Sequence, residues 1–198
     1  MSSRSTLALA AVLCSRNAHK ARELEALLPG WTLAPLGRDD YPPETGDTYY
    51  ANALIKARFG REHAAAWVLA EDSGLSVDAL GGRPGVHSAR YGPEGAPAVA
   101  KLLGELDGVD DRRAHYVSEL VLIAPDGYEL RGTGTLVGRI AREPRGSEGF
   151  GYDPIFIPNG EERTVAELGN EWKAERSHRA HAARALLSAL DGAPATTS

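Results

Sequence analysis

The amino-acid sequence predicts an α/β protein with a mixed β-sheet, and three observations support this fold class. Short apolar segments, typical of buried strands, alternate with segments of helical periodicity in the first part of the chain. Two long strand-like segments then follow one another around Asp126-Gly127, a dipeptide typical of β-hairpins. The chain has 198 residues, 42% hydrophobic and 25% charged, which suffices for a sizeable core without disulfides or metals as staples.

The first predicted elements alternate as strand, helix and strand. Leu7–Cys14 is a continuous apolar run, which predicts a strand covered on both faces. The run is at the short limit for a secretory signal, and Leu13 stands where a lipoprotein signal needs a small residue, so we interpret it as a strand. Asn17 can cap a helix that ends at Leu28, and Trp31–Leu36 predicts a second strand.

A second helix is predicted over residues 49–66, after a polar loop that contains proline. Either Asp47 or Thr48 can cap this helix. Asn52 and Lys56 lie one turn apart on a face that differs from the apolar one.

The middle of the chain predicts two short strands, a turn between them and a further helix. The strands are Trp67–Ala70 and Leu75–Leu80, and the polar segment Glu71–Gly74 between them is typical of a turn. The helix covers Ala96–Leu106.

The second half of the chain predicts a β-hairpin, a long loop and a final helix. The hairpin strands are Ala114–Ala124 and Tyr128–Ala141. The segment Glu143–Pro158 is rich in glycine and proline and too long for an ordinary connection, which favours a functional loop. The last helix is predicted as one continuous element, Asn170–Leu190.

The composition excludes several classes of protein. The formal charge of 22 − 27 = −5 argues against non-specific nucleic-acid binding. Cys14 is the only cysteine, which excludes a disulfide framework and a Cys-rich zinc site. No apolar run approaches the ~20 residues of a membrane span, so we expect a cytoplasmic protein that binds neither nucleic acid nor membrane. We expect one domain over residues 1–190 and a disordered tail over residues 191–198.

Lysine is rare among the basic residues. Of the 22 basic residues, only four are lysine. A chain that otherwise uses arginine can keep lysine where a compact ammonium is required, although each lysine can equally be a solvated helix residue. The four are Lys20, Lys56, Lys101 and Lys173.

The turn after the first predicted strand is a candidate phosphate site. A strand that opens into a helix presents free backbone N–H groups and the positive end of the helix dipole. Ser15 and Asn17 can add hydrogen bonds and Lys20 a positive charge, while the competing interpretation is an ordinary capped helix. Neither a GxxxxGK[ST] nor a GxGxxG motif is present.

Adjacent carboxylates, Glu71 and Asp72, follow an apolar strand, and Glu44 is a possible third from another part of the chain. Carboxylates at the end of a strand commonly hold Mg²⁺ together with phosphate oxygens, and one can act as a general base on water. The competing interpretation is a solvated Asp-Ser-Gly turn.

The long loop carries a candidate base-binding segment. Phe150 and Tyr152, separated by Gly151, can offer a stacking face, and Asp153 can accept a hydrogen bond. Aromatic residues in such a pattern also often belong to a core. Lys173 and the Ser177-His178-Arg179 segment follow on the last predicted helix.

In this order, these segments resemble the inosine triphosphate pyrophosphatase family, whose members hydrolyse non-standard purine nucleoside triphosphates. The resemblance runs from Leu7 to Leu190. It is carried by Ser15-x-Asn17-x-x-Lys20, Glu44-Thr45-Gly46, Asn52-Ala53-x-x-Lys56-Ala57, Glu71–Leu75, Pro84–Tyr91, Gly149–Phe156 and Ser177-His178-Arg179.

The resemblance implies a fold and an activity. The family fold is a long, curved mixed sheet flanked by helices, with two lobes and a central cleft, and its members are usually homodimers. The implied enzyme is a Mg²⁺-dependent nucleoside triphosphate pyrophosphatase that converts ITP, dITP or XTP into the monophosphate and pyrophosphate.

The resemblance also implies a role for each motif residue. Asp72 would be the catalytic proton acceptor, and Glu44 and Asp72 would hold Mg²⁺ with Glu71 beside it. The substrate would be bound by Ser15, Asn17, Lys20 and Lys56 at the triphosphate, by Ser73, by Phe150, Gly151, Tyr152 and Asp153 at the base, and by Lys173, His178 and Arg179 at the nucleotide and the purine edge.

The chain departs from the family pattern at two positions. Arg16 stands where the family commonly has glycine, so the turn cannot require a positive φ there without strain. Glu71 stands where many members have aspartate, which keeps the carboxylate on a longer arm. Two competing hypotheses are a related enzyme for pyrimidine or modified nucleotides and a nucleotide sensor without hydrolysis.

Overall fold

The computed structural model describes residues 8–93 and 95–193, so Leu7 and residues 194–198 of the predicted tail lie outside the described residues. Five α-helices, six strands and three short 3₁₀ helices make up the regular structure of the described part. In chain order the strands and α-helices are β1 (Ala10–Cys14), α1 (Ala18–Leu27), β2 (Thr32–Pro35), α2 (Tyr49–His63), β3 (Trp67–Val77), α3 (Ala96–Glu105), β4 (Arg113–Ile123), β5 (Glu129–Ile140), β6 (Phe156–Pro158), α4 (Val165–Arg176) and α5 (His178–Asp191).

The strands form one mixed sheet in the order β2-β1-β3-β4-β5-β6, which confirms the predicted α/β class. β1 pairs in parallel with β2 and with β3, so that Val12 lies opposite Ala34 on one side and Val68 on the other. β5 and β6 are antiparallel. β4 and β5 are neighbours joined by a tight turn, as the Asp126-Gly127 pair predicts.

The chain divides into two compact units. The first comprises Met1–Asp72, Glu119–Thr133 and Ala182–Ser198, and the second comprises Ser73–Ser118 and Gly134–His181. Each of the strands β3, β4 and β5 therefore has residues in both units.

The first unit has a hydrophobic cluster on each face of its sheet. Successive residues of a strand point to opposite faces, so neighbours such as Leu13 and Cys14 enter different clusters. α1 and α5 cover one face and α2 the other. The α1 and α5 cluster includes Leu13, Leu24, Leu69, Leu120 and Leu186, and the α2 cluster includes Cys14, Ala53, Ala57, Val68, Ala70 and Val121.

The second unit has a core of its own. Leu102 and Leu106, at the end of α3, are fully buried there against residues of β3, β4, β5 and the segment that precedes α4. Tyr116 of β4 and Phe156 of β6 meet in this core with ring centroids 4.6 Å apart.

The predicted turn at Glu71–Gly74 is wrong, because these residues lie inside the continuous strand β3. A glycine is required at position 74 because the segment of Gly85 and Ser88 packs closely against the strand there, and not because the chain turns. A Cβ atom there would collide with the Ser88 side chain, and it would lie 2.6 Å from the carbonyl oxygen of Gly85. Ser88 also accepts a hydrogen bond from the backbone N–H of Leu75 at 2.8 Å. β3 can therefore pass through this polar segment unbroken.

The predicted single final helix is also wrong, because Ser177 divides it into α4 and α5. Ser177 has extended backbone angles, φ −69° and ψ 161°, and its Oγ accepts a hydrogen bond from the backbone N–H of Ala180 at 3.1 Å. The serine thus ends one helix and caps the next.

None of the helices in the described part of the chain combines the length and the apolarity that crossing a bilayer requires.

Candidate active site

Glu71 and Asp72 point to opposite faces of the sheet because they are neighbours in β3. Glu71 lies on the face covered by α1, where its Oε2 pairs with Nζ of Lys20 at 2.9 Å. Asp72 lies on the face covered by α2. Both carboxylates are buried, with 1% and 5% of their surface exposed. The strand therefore separates two carboxylates that the sequence makes adjacent.

Asp72 and Glu44 converge on one ammonium group. Nζ of Lys56, from α2, donates to Oε1 of Glu44 at 2.6 Å and to Oδ1 of Asp72 at 3.3 Å. Lys56 is itself buried. The structure thus brings together three residues that the sequence singles out from three separate segments.

Asn52 completes this cluster, and the sequence analysis did not count it among the site residues. Its Nδ2 donates to Oδ2 of Asp72 at 3.3 Å, and its Oδ1 accepts from the backbone N–H of Gly46 at 2.8 Å. Asn52 is fully buried and orients both Asp72 and the loop that carries Glu44. The i,i+4 spacing of Asn52 and Lys56 was the signal that could have identified it.

The turn after β1 is a capped helix start. Oδ1 of Asn17 accepts from the backbone N–H groups of His19 at 2.9 Å and Lys20 at 3.1 Å, and Ser15 Oγ accepts from the Asn17 N–H at 3.2 Å. No described residue other than glycine has a positive φ, so Arg16 fits this turn without strain. The Arg16 guanidinium lies over the ring of Tyr41, 5.6 Å from its centroid.

Burial and neighbouring charges shift the protonation equilibria of this cluster. Burial raises the pKa of the Asp72 carboxyl above its ordinary value, against the opposing attraction of Lys56 and Lys20. Burial alone would lower the pKa of Lys56, but the negative charges of Asp72 and Glu44 outweigh it and raise that pKa. Lys56 therefore stays a cation.

Two of the three proposed carboxylates converge on a common point, as a divalent metal ion would require. Within residues 8–93 and 95–193, no three His, Cys, Asp or Glu side chains are grouped as a complete metal site. Mg²⁺ usually takes only one or two carboxylates, together with waters and substrate phosphates. Glu44 and Asp72 already share one cation, Lys56, which shows that their oxygens reach a common point. Glu71 faces the other side of the sheet.

The loop before β6 lies in the second unit and is tied to α4. Oδ2 of Asp153 accepts from the backbone N–H of Phe150 at 2.8 Å and from Nζ of Lys173 at 2.7 Å. The same ammonium lies 4.7 Å from the centroid of the Phe150 ring. Asp153 and Lys173 are both buried, so their pairing fixes the conformation of the loop.

Two glycines give this loop its shape. Gly149 and Gly151 have φ angles of +79° and +62°, which residues with a side chain rarely adopt. A Cβ atom at Gly149 would also collide with the Asp153 carboxylate. The glycines therefore let Phe150 approach Asp153 closely.

The Ser177-His178-Arg179 segment joins the same group. Arg179 is 2% exposed, donates to Oγ of Ser73 at 3.0 Å, and places its guanidinium carbon 5.8 Å from the centroid of the Phe150 ring. His178 stacks on Tyr116, with centroids 4.6 Å apart and planes 8° apart. Tyr116 is a second residue that the sequence analysis did not single out.

Tyr152 lies beside this group, and its hydroxyl donates to the backbone oxygen of Ser88 at 3.2 Å. Lys101 belongs to none of the motifs quoted above, yet its Nζ donates to the backbone oxygen of Tyr91 at 2.7 Å and lies 4.0 Å from the centroid of that ring. Tyr91 ends the Pro84–Tyr91 motif, so Lys101 contacts a motif residue although it belongs to no motif itself.

Buried carboxylates paired with lysines, a capped helix start beside them and a loop with an aromatic ring close to two cations are typical of an enzyme that acts on a phosphorylated, ring-bearing substrate. The profile of the Ham1 family matches residues 11–189. The chain belongs to the Ham1 family, which confirms the resemblance.

Similar proteins and solved structures agree with this assignment. The dITP/XTP pyrophosphatase of Symbiobacterium thermophilum is 46% identical over 93% of this chain and 94% of the relative, and that of Deinococcus deserti is 45% identical over 92% and 90%. A HAM1 protein from Coxiella burnetii superposes with a TM-score of 0.82, at 38% identity over 93% of this chain and all of that one. The structure of a nucleoside-triphosphatase, dITP/XTP pyrophosphatase, from Mycobacterium abscessus superposes with a TM-score of 0.74. It is 44% identical and covers 90% of this chain and 99% of its own.

Proposed function

We propose that this protein is a Mg²⁺-dependent nucleoside triphosphate pyrophosphatase that hydrolyses ITP, dITP and XTP to the monophosphate and pyrophosphate. The observation that supports it most directly is the convergence of Glu44 and Asp72 on the buried Lys56 in a chain of the Ham1 family. Relatives that share 45% of its residues carry the name dITP/XTP pyrophosphatase.

In the proposed reaction, water attacks the α-phosphorus of the substrate. The bond from water oxygen to phosphorus forms, the bond from phosphorus to the bridging oxygen breaks, and pyrophosphate leaves. Asp72 would accept the proton of the water. The hydrogen bond from Asn52 Nδ2 to its Oδ2 holds the carboxylate in place, which suits a general base.

The triphosphate carries negative charge that the chain must neutralise. Lys20 and Lys56 would supply two ammonium groups, and Ser15, Asn17 and the start of α1 would add hydrogen-bond donors. Mg²⁺ held by Glu44 and Asp72 would contribute further positive charge at the phosphate oxygens. Binding of substrate would then require both lysines to exchange carboxylate partners for phosphate oxygens.

The base would be bound by the group around Phe150. Its ring offers a stacking face, while Lys173 and Arg179 provide donors. Hypoxanthine and xanthine carry a 6-oxo acceptor where adenine carries a 6-amino donor. A donor aimed at that position leaves the adenine group mispaired, at a cost of about 1–3 kcal/mol per contact, which corresponds to roughly 10- to 100-fold discrimination.

A nucleotide panel tests this proposal. The protein is incubated with Mg²⁺ and ITP, dITP, XTP, ATP or pyrimidine triphosphates, and pyrophosphate and orthophosphate are assayed separately. We expect pyrophosphate from ITP or XTP, with ATP used at least roughly tenfold less efficiently. Orthophosphate as the primary product from ITP would contradict attack at the α-phosphorus. Preference for pyrimidines, or binding without any product, would contradict the proposed substrate class or the activity.

We also propose that the enzyme works in the cytoplasm as a homodimer, as the family resemblance implies. Sedimentation equilibrium should then give twice the chain mass of 21.1 kDa. A monomer at micromolar concentration would contradict this proposal and leave the proposed chemistry unaffected.

A further inference from the structure

The helix that carries Lys173 has a second starting point. α4 is interrupted at Gly169, whose backbone angles of φ 88° and ψ 176° are not helical. The helical turn that presents Lys173 therefore begins at Asn170. A helix start leaves backbone N–H groups without partners inside the helix, and they need an acceptor from elsewhere.

Glu148 provides this acceptor. Its Oε2 accepts a hydrogen bond from the backbone N–H of Asn170 at 2.9 Å. Its own backbone N–H donates to the carbonyl oxygen of Ala166 at 3.3 Å, on the other side of the interruption. A Cβ atom at Gly169 would lie only 3.2 Å and 3.3 Å from the two Glu148 oxygens, so the glycine leaves room for the carboxylate.

The hydrogen bond between Glu148 and Asn170 is one of two connections between the loop that carries Phe150 and the helical turn that carries Lys173. Glu148 precedes Phe150 in the loop, and Asn170 precedes Lys173 in the helix. The second connection is Asp153, whose carboxylate accepts hydrogen bonds from both the Phe150 N–H and the Lys173 ammonium. The loop segment is therefore bonded to the helical turn at both of its ends, by Glu148 to Asn170 and by Asp153 to Lys173.

We propose that Glu148 is a positioning residue for the purine site: its carboxylate caps the helical turn at Asn170 and thereby fixes the Phe150 ring relative to the Lys173 ammonium. This inference rests on the proposed function, because the base is the ligand that the group would bind. Glu148 is exposed and contacts no reacting atom, so its removal acts on binding of the base and not on hydrolysis itself.

The test compares Glu148→Ala with Glu148→Gln, which keeps an acceptor oxygen for Asn170. Glu143→Ala, another exposed carboxylate of the same loop, is the matched control. For Glu148→Ala we expect KM for ITP to rise about tenfold, as for loss of a helix cap, with kcat within about twofold of the wild type. Glu148→Gln should recover most of the loss, and Glu143→Ala should match the wild type.

Two further measurements separate this inference from the proposed function. Calorimetry should show weaker binding of inosine monophosphate to Glu148→Ala but unchanged binding of tripolyphosphate, which has no base. Hydrogen exchange should be faster at the Asn170 amide of Glu148→Ala, whatever the enzyme hydrolyses. An unchanged KM, unchanged exchange at Asn170, or an equal effect of Glu143→Ala would overturn the role of Glu148. Failure of the wild type to hydrolyse ITP would instead overturn the proposed function.

Discussion

At the scale of the residue, the pleat of β3 assigns different partners to adjacent carboxylates. Glu71 faces Lys20, while Asp72 faces Lys56 and Asn52. Two residues that look equivalent in the sequence therefore have separate electrostatic surroundings, and substitutions of each should have separable effects.

Asp72→Asn keeps the shape of the side chain but removes its negative charge and its basicity. We expect kcat for ITP to fall at least ~100-fold, the lower end of general-base contributions. Asp78→Asn is the control, because that carboxylate follows the end of β3 and is exposed. Thermal melts confirm folding, and a folded Asp72→Asn protein with near-normal turnover would remove Asp72 from the mechanism.

Lys56→Arg tests whether the shape of the cation matters at the shared position between Glu44 and Asp72. The planar guanidinium is larger than the ammonium, and Lys56 is only 9% exposed, so arginine must displace one carboxylate. We expect kcat/KM for ITP to fall about tenfold or more, because the variant loses the charged hydrogen bond to either Glu44 or Asp72. Arg58→Lys, exposed on the same helix, should leave kcat/KM unchanged. Equal values for both variants would mean that Lys56 is incidental.

Residue identities alone indicated Asp72, Glu44 and the lysines, because motif order in the sequence specifies them. They did not indicate Asn52, Tyr116 or Glu148. Each of these acts through a partner that only the fold brings near: Asn52 through the Gly46 loop, Tyr116 through stacking on His178, and Glu148 through an interruption inside a helix. Apart from the i,i+4 spacing of Asn52 and Lys56, such contacts join segments far apart in the chain and leave no local pattern.

At the scale of the element, the sequence located most helices and strands but misplaced their ends where polar residues have tertiary partners. Glu71–Gly74 has the composition of a turn, yet α1 and α2 supply lysines that pair with its carboxylates, so the strand continues. Conversely, the predicted last helix contains neither glycine nor proline at its break. Ser177 divides it by a side-chain hydrogen bond that propensity does not reveal.

Ser177→Ala removes the cap of α5 and leaves the backbone N–H of Ala180 without that acceptor. We expect the free energy of unfolding to fall by about 1 kcal/mol, which lowers Tm by roughly 2–4 °C for a chain of this size. Ser188→Ala, exposed within α5, should change it by less than ~0.5 kcal/mol. Equal melting temperatures for the two variants would show that the Ser177 hydroxyl does not stabilise the helix.

At the scale of the whole molecule, the buried thiol of Cys14 couples stability to alkaline pH. Burial raises the pKa of this thiol to about 12, well above its value of 9.0 in the unfolded chain. The stabilisation is complete below pH ~9 and is lost as pH rises toward ~12, because the unfolded state then releases a proton that the folded state retains. The loss reaches at most about 1.4 kcal/mol per pH unit.

Cys14→Ala isolates this contribution. Alanine leaves a small cavity whose cost does not depend on pH, so the variant is less stable than the wild type at neutral pH. We expect the difference in unfolding free energy to narrow by about 1 kcal/mol or more between pH ~8 and pH ~10.5. Urea unfolding at several pH values measures it. A difference that stays constant would show that the thiol is not held protonated.

The division of α5 between the units has a consequence for how the polypeptide is made. All proposed site residues precede Ala182, where α5 enters the first unit. Leu186 is nevertheless fully buried beside Leu24 and Leu69. During translation, all proposed site residues are therefore made before the part of α5 that completes the core of the first unit. Such pairing of early and late residues raises contact order and slows folding, so this unit completes its core only after Leu186 has been made.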